Sequence, residues 1–340
     1  MVENFLRIGV RRVLLAALAC EHRRGESRVG NRWIRGLDCG MAIQTFSTRG
    51  VAAAGGHRLE TTVWLNGRLL PARDAGVSPF DHGLLVGDGV FETLAAWDGE
   101  PFALHRHWRR LERSAAMLGI PAPGEALLRQ AIGGVLHANQ LARARVRVTV
   151  TSGDAPLGSA RSEQGIDPLV LVAAAPLPVY PPTEEVVVVP FSRNPGGALS
   201  GCKSTSYGEN VVALKWAHER GGGEAVFANV DGQLCEGTGS NVFLVRDGRL
   251  LTPPLESGCL AGVTRELVLE LATGAGLAVA EEGLPIGALA AADEAFLTST
   301  TRELQPIGKV DGQPLAEAPG AVTRQLQLLW RGLLQQGMEP

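Results

Sequence analysis

Residues 199–210 read LSGCKSTSYGEN and set one lysine, Lys203, among glycine, cysteine and hydroxyl side chains, with no carboxylate beside it. The residues that follow read as a capping box, Ser206-x-x-Glu209, which would start a helix that Gly221–Gly223 ends. A lysine just upstream of a helix N-terminus meets the positive end of the helix dipole. Burial would lower its pKa in the same direction. Both effects favour the neutral amine that imine formation with an aldehyde requires. On this stretch alone two readings stay open: a solvated loop lysine, the commoner case, or an amine held in a pocket for chemistry.

Four other segments carry residue types that would complement such an amine. Gly262-Val263-Thr264 opens the segment RELVLELA, and a helix N-terminus with a hydroxyl and free N–H groups can bind an anion; Thr264 as a plain N-cap fits equally well. Thr298-Ser299-Thr300-Thr301 follows a strand and is either an ordinary turn or a hydroxyl and N–H cluster for phosphate. Arg110 could add charge to the same phosphate, or be solvated like other basic residues on a helix. Glu236, in LCEGTGSNVF, lies on a strand among apolar residues. A buried carboxylate there needs a positive partner, such as a protonated pyridine nitrogen; a hairpin-end carboxylate is the alternative. Together these are the parts of a pyridoxal phosphate site.

The elements that must position them are legible from Thr61 onward. Val63-Trp64-Leu65 and Leu69-Leu70 flank Asn66-Gly67, and GVFETLAAWDGEPFAL repeats the pattern at Asp98-Gly99, so both read as hairpins. HRHWRRLERSAAMLGI has helical spacing, with Leu111, Ala115 and Leu118 on one face and Gly119 as its stop. Residues 124–141 read as a second helix. ARVRVTVTS alternates as a strand, and PLVLVAAAP is apolar throughout, as a buried strand would be. Residues 176–185 hold four prolines and are the best linker candidate. Beyond it come a strand at VVVVP, a helix over 207–220, hairpins turning at Asp231-Gly232 and Asp247-Gly248, a glycine-closed helix from Thr264, and the strand EAFLTS. The expected class is α+β in two domains, 61–175 and 186–335, joined by the linker.

The 340-residue chain is 45% hydrophobic and 20% charged, with a net charge of −3, which offers no basic patch for nucleic acid. No apolar run approaches the roughly 18 residues of a membrane span. Five widely spaced cysteines without a C-x-x-C pair give neither a zinc site nor a disulfide framework, and no metal is expected. The usage fits a reducing cytosol, and Cys202 reads as a small buried residue rather than a reactive thiol. Val13–Cys20 resembles a secretory signal only faintly, since its core is short and arginines follow it. Residues 1–60 are expected to be a poorly ordered extension, with Met41 as an alternative start.

DHGLLVGDGVFET, HWRRL, CKSTSYGENVVA, CEGTGSNVFLV, TPPLESGCLAGVTRE and DEAFLTSTTREL match in order and spacing across residues 62–310. In these stretches the chain resembles the class IV aminotransferases, the fold-type IV pyridoxal phosphate enzymes. That group includes branched-chain and D-amino-acid aminotransferases and 4-amino-4-deoxychorismate lyase. The resemblance implies two α/β domains with pyridoxal 5'-phosphate between them, in a homodimer acting on a small molecule; the cysteine usage adds the expectation that it is cytoplasmic. It makes Lys203 the Schiff-base lysine and proton shuttle and Glu236 the partner of the pyridine nitrogen. Arg110, Val263, Thr264 and Thr300 become phosphate contacts, with Tyr207 and Asn241 close to the cofactor. Phe91, Ser152 and Arg161 are the substrate-pocket candidates, Arg161 as the nearby cation. The strand region 146–161 lacks the arginine–histidine trap of D-amino-acid enzymes and the Y-x-R-P pattern of branched-chain ones. VTVTSGDAPLGS and CKSTSYGENVVA look more like bacterial aminodeoxychorismate lyases. The resemblance therefore leans to 4-amino-4-deoxychorismate lyase, which gives 4-aminobenzoate for folate synthesis, with a transaminase acting on branched-chain or D-amino acids or amines as the alternative.

Overall fold

Turn chemistry sets the strand pairing. In a computed structural model, which describes residues 61–340, Asn66, Asp98 and Asp247 have φ of 42°, 51° and 51°, and the glycine after each is also left-handed. That double positive φ is the two-residue hairpin geometry that matches strand twist. It joins β1 (Thr62–Leu65) to β2 (Arg68–Pro71), β3 (Gly89–Trp97) to β4 (Glu100–Pro101), and β10 (Asn241–Arg246) to β11 (Arg249–Thr252). Between β8 (Glu224–Asn229) and β9 (Leu234–Gly237) only Gly232 is left-handed, and the register shifts at Phe227/Ala228. That hairpin is a longer, bulged one.

The first half also contains a short α1 (His82–Leu85), α2 (Leu104–Leu118), α3 (Glu125–Ala138), β5 (Ala144–Thr151) and β6 (Leu169–Pro176). Its strands form one sheet in the order β2-β1-β6-β5-β3-β4. Leu111 and Ala115 of α2 pack with Ile132 and Val135 of α3 onto Val90, Leu94, Val146 and Val172. The apolar run of β6 predicts burial on both faces, yet the strand alternates buried and half-buried residues. Its second face carries small alanines, Ala173 and Ala175, that border a cavity instead of a second core.

Residues 177–183 lead into β7 (Glu184–Arg193), which begins the second sheet. α4 (Gly208–His218), α5 (Val263–Gly274), β12 (Val279–Glu281), β13 (Glu294–Ser299), β14 (Glu303–Val310), β15 (Gln313–Pro314) and α6 (Ala321–Gln336) complete the fold. The main strand order is β12-β11-β10-β13-β14-β7-β8-β9, with β15 on β14. β7 runs parallel to both β8 and β14, so it lies inside the sheet. Val186, Leu244, Leu297 and Ile307 form a core on one face, and Phe243, Phe296, Leu267 and Trp330 form one on the other. No described helix is long and apolar enough to cross a membrane. The expected N-terminal extension lies outside the described residues.

One carboxylate docks α6. Glu294, 5% exposed, accepts the N–H groups of Val322 and Thr323 at 3.0 and 2.9 Å and the Thr323 hydroxyl at 2.7 Å. The helix has no side-chain cap of its own, so a residue of another strand satisfies its first donors. Glu294→Ala should lower stability by about 3 kcal/mol, because it leaves buried donors unpaired. Denaturant unfolding measures the loss; an unchanged midpoint would show that α6 is docked by packing alone.

Candidate active site

Lys203 lies on the segment that crosses from the second sheet to the first. Its carbonyl accepts the Phe91 N–H at 2.9 Å, and its own N–H donates to Ser114 Oγ at 3.2 Å. Thr205 N–H donates to the Gly89 carbonyl at 2.8 Å. Both backbone groups of the lysine are thus fixed to β3 and α2. The expected capping box does not form: Ser206 Oγ donates to the Gly87 carbonyl at 3.2 Å, and Glu209 pairs with Arg193 at 3.2 Å. The chain is held at β3 until Ser206, so α4 begins only at Gly208, with Tyr207 at its N-cap and no side-chain cap. Lys203 still precedes a helix N-terminus.

A cavity of about 1170 Å³ separates the two sheets. Lys203, Tyr207, Glu236, Asn241, Val263, Thr264, Thr300, Arg110 and Phe91 all line it. Burial lowers the Lys203 amine to about 8, reinforced by the Arg110 charge and opposed by Glu92 and Glu236. Its Nζ stands 4.5 Å from the centre of the Phe91 ring. Tyr207 meets the same ring edge-on at 5.1 Å, and burial raises its hydroxyl to about 12, so it remains a donor. Cys202 Sγ donates to the Ser114 carbonyl, and burial raises its pKa, so it stays a thiol rather than a thiolate.

Arg110 is the clearest departure from a solvated helix residue. It is 6% exposed, donates Nε and Nη2 to Glu92 at 2.7 and 2.8 Å, and donates Nη1 to the Ala261 carbonyl at 3.1 Å. Three of its five N–H groups are thereby used, leaving two for a ligand. Burial would raise the Glu92 pKa, but Arg110 and His107 hold it well below the usual carboxylate range. His107 Nδ1 is 2.7 Å from Glu92, and its Nε2 is 3.0 Å from Thr300 Oγ1. Neither Glu92 nor His107 is among the sequence candidates. The available signal is a glutamate inside an apolar strand, VFETL, which requires a buried cation.

The N-terminus of α5 faces the cavity with Gly262 as N-cap and no side-chain cap, so its first N–H groups lack intrahelical acceptors. A Cβ at Gly262 would come 2.0 Å from Asn241 Oδ1, while Asn241 Nδ2 donates to the Leu260 carbonyl at 2.8 Å. Glycine here lets the loop pack on Asn241. Thr298 Oγ1 is buried at the cavity without a hydrogen-bond partner. Glu236 accepts the Leu260 N–H at 2.9 Å and has Arg193 Nε 3.4 Å away. Burial raises its pKa, against the pull of Arg193. Glu236 therefore already has a cation beside it, which its sequence context does not indicate.

Two substrate-pocket candidates are not at the cavity. Arg161 is bound to Asp88 by two hydrogen bonds of 2.7 and 2.6 Å, and Ser152 packs with its N–H on the Asp88 carbonyl. Besides Arg110, Arg193, Arg302 and Lys203, the cavity wall carries two further cations, Arg145 and Arg147 of β5. Strand periodicity places both on one face; Arg147 covers the Phe91 ring at 3.7 Å. Among the described residues neither forms an ion pair.

A primary amine, a buried carboxylate and an anion cradle of helix N–H groups, hydroxyls and a guanidinium suit pyridoxal 5'-phosphate. The model of the family described as amino-transferase class IV matches residues 89–310. A putative branched-chain-amino-acid aminotransferase of Methanocaldococcus jannaschii is 37% identical, covering 78% of this chain and 93% of its own. Aminodeoxychorismate lyase of Bacillus subtilis is 33% identical, covering 79% and 93%. A branched-chain amino acid aminotransferase from T.th., solved with pyridoxamine 5'-phosphate, superposes with a TM-score of 0.76 at 26% identity, covering 82% and 96%.

An amine at about 8 is half neutral near that pH, against about one part in a few hundred for an ordinary lysine. Lowering a base's pKa extends the neutral form to lower pH. Uptake of pyridoxal 5'-phosphate by the apoprotein should rise about tenfold per pH unit up to about 8 and then level off. Stopped-flow absorbance tests this; a rise continuing towards 10.5 would contradict an activated Lys203.

Proposed function

Because the chain belongs to the class IV aminotransferase family, whose cofactor is pyridoxal 5'-phosphate, we propose that its cavity converts an amino substrate bearing two carboxylates. The leading reaction is elimination of pyruvate from 4-amino-4-deoxychorismate to give 4-aminobenzoate. One observation carries the choice: two guanidinium groups, Arg145 and Arg147, stand on the cavity wall with no described carboxylate partner. That substrate has one carboxylate on its ring and another on its enolpyruvyl arm. Arginine is the side chain best shaped to hold a carboxylate in two-point contact.

When bound, the cofactor supplies an aldehyde to the amine and an electron-withdrawing ring. The protein's residues do the rest. Lys203 Nζ is the amine that would hold the aldehyde, and as a free amine it would take the proton from the amine-bearing carbon of the substrate. It is fit for this because a lowered pKa makes its neutral form available near physiological pH and its backbone is pinned on both sides. Glu236, held by the Leu260 N–H and Arg193, presents a carboxylate oxygen to the ring nitrogen. The Val263 and Thr264 N–H groups, the hydroxyls of Thr298 and Thr300, and the two remaining N–H groups of Arg110 hold the phosphate. Tyr207 and Phe91 border the reacting face, and Asn241 fixes the loop that carries Leu260. In the elimination the bond between the ring carbon and the enol-ether oxygen would break, and the oxygen would depart with the enolpyruvyl arm. The proton taken by Lys203 would balance the one that turns the departing enolpyruvate into pyruvate.

Transamination of an amino acid is the second reading. It is favoured by the apolar Ala173–Ala175 stretch of the wall, which suits an aliphatic side chain. A homodimer accompanies either reading: Phe80, Leu84, Leu85 and Val86 are exposed beside Gly87, whose carbonyl accepts the Thr205 and Ser206 hydroxyls. Sedimentation should give a dimer that Leu84→Glu weakens; a monomeric wild type would contradict this part of the reading.

Purified holoenzyme given 4-amino-4-deoxychorismate should release equal amounts of 4-aminobenzoate and pyruvate. Arg147→Ala and Arg145→Ala should each raise KM about tenfold or more, the worth of a charge-assisted hydrogen bond, with the cofactor absorbance unchanged. No pyruvate, with amino transfer from an amino acid to 2-oxoglutarate instead, would replace the lyase reading by the transaminase one.

A further inference from the structure

The bond between His107 and Thr300 sets a condition on anion binding. His107 is 1% exposed, and its Nδ1 lies 2.7 Å from Glu92 Oε2. Glu92 is ionised, since Arg110 and His107 hold its carboxyl low against its burial. So short a contact with a carboxylate oxygen requires a proton on Nδ1. Arg110 Nη2 approaches the same nitrogen only at 3.5 Å and already donates to Glu92 at 2.8 Å.

In the neutral ring Nε2 is then a bare acceptor, and the 3.0 Å contact to Thr300 Oγ1 is satisfied by the threonine proton. A hydroxyl has one proton to give. With that proton committed to His107, Thr300 offers the cavity only lone pairs, which a phosphate dianion repels. Turning the hydroxyl towards the anion leaves Nε2 as a buried, unpaired acceptor. A second proton on the imidazole resolves the conflict: Nε2–H donates to Thr300, and the threonine proton is free for the phosphate.

Resting on the reading of this cavity as a pyridoxal 5'-phosphate site, we propose that His107 is a proton-linked positioning residue: it takes up a proton when the phosphate binds, and so turns Thr300 from acceptor to donor. The groups facing the ring are Glu92 from β3, Arg110 on its own helix, and Lys203 from the segment before α4. Burial lowers the pKa of the free ring, opposed by Glu92 and reinforced by Arg110 and Lys203. The bound dianion adds a second negative charge and raises it. Because binding raises the pKa, the linked affinity is fully present below the free-state value and is lost as pH rises through the bound-state value.

The test is nitrogen-15 NMR of the histidine rings in apoprotein and holoenzyme at one pH above the ordinary histidine range, with His107→Asn identifying the signal. The expected result is one N–H and one bare nitrogen in the apoprotein, and two N–H groups in the holoenzyme. The ratio of wild-type to His107→Asn cofactor affinity should also fall by up to about tenfold per pH unit between the free-state and bound-state values of the ring. A holoenzyme that binds cofactor while Nε2 stays bare overturns this proposal alone. A chain that takes up no pyridoxal 5'-phosphate overturns the site reading and this proposal with it.

Discussion

A carboxylate buried without charge partners would be too costly to keep ionised, and Glu92 is a carboxylate 1% exposed on strand β3. Arg110 and His107 make it tolerable, and in doing so they are themselves immobilised. The guanidinium is turned so that its unused N–H edge faces the cavity, and the imidazole is turned so that Nε2 meets Thr300. Glu92 is adjacent to Phe91, whose N–H fixes the Lys203 carbonyl. One ion cluster on β3 therefore positions groups from α2, from the turn after β13 and from the lysine segment. Removing one partner of such a cluster costs more than a surface pair, because it strands the other charge out of water.

The second sheet contributes a parallel device. Arg302 pairs with Glu184 at 2.7 Å and Glu224 at 3.4 Å and covers the Tyr180 ring at 4.4 Å. Glu224 in turn accepts the Thr238 N–H at 3.0 Å and its hydroxyl, and Tyr180 OH contacts Thr301 Oγ1 at 3.0 Å. The connection between the sheets, the starts of β7 and β8, and two hydroxyl-rich turns are thus tied to one guanidinium. Both halves of the cavity are built around buried ion clusters.

Much of this is legible in residue order because it is local. The hairpins at Asn66-Gly67, Asp98-Gly99 and Asp247-Gly248 follow from residues that tolerate positive φ, and the helical faces follow from 3.6-residue spacing. Lys203, Glu236, Thr264 and Thr300 can be grouped because one cofactor explains all of them. What residue order hides depends on partners far apart in the chain. Glu92 and Arg110 are 18 residues apart, and nothing in HWRRL tells a buried arginine from a solvated one. Arg161 reads as the pocket cation, yet Asp88, 73 positions away, holds it elsewhere. Alternation in ARVRVTVT marks the face of Arg145 and Arg147 as non-core without saying whether it meets water or a cavity. The Ser206–Glu209 box is sound as a local pattern and loses to tertiary bonds that hold Ser206 at Gly87.

All of these contacts converge on one amine. Borohydride reduction of the purified holoenzyme, followed by proteolysis and mass spectrometry, locates the lysine that carries the cofactor. A pyridoxyl group on Lys203 alone is the result this account predicts. A pyridoxyl group on another lysine, or none on any peptide, would contradict it.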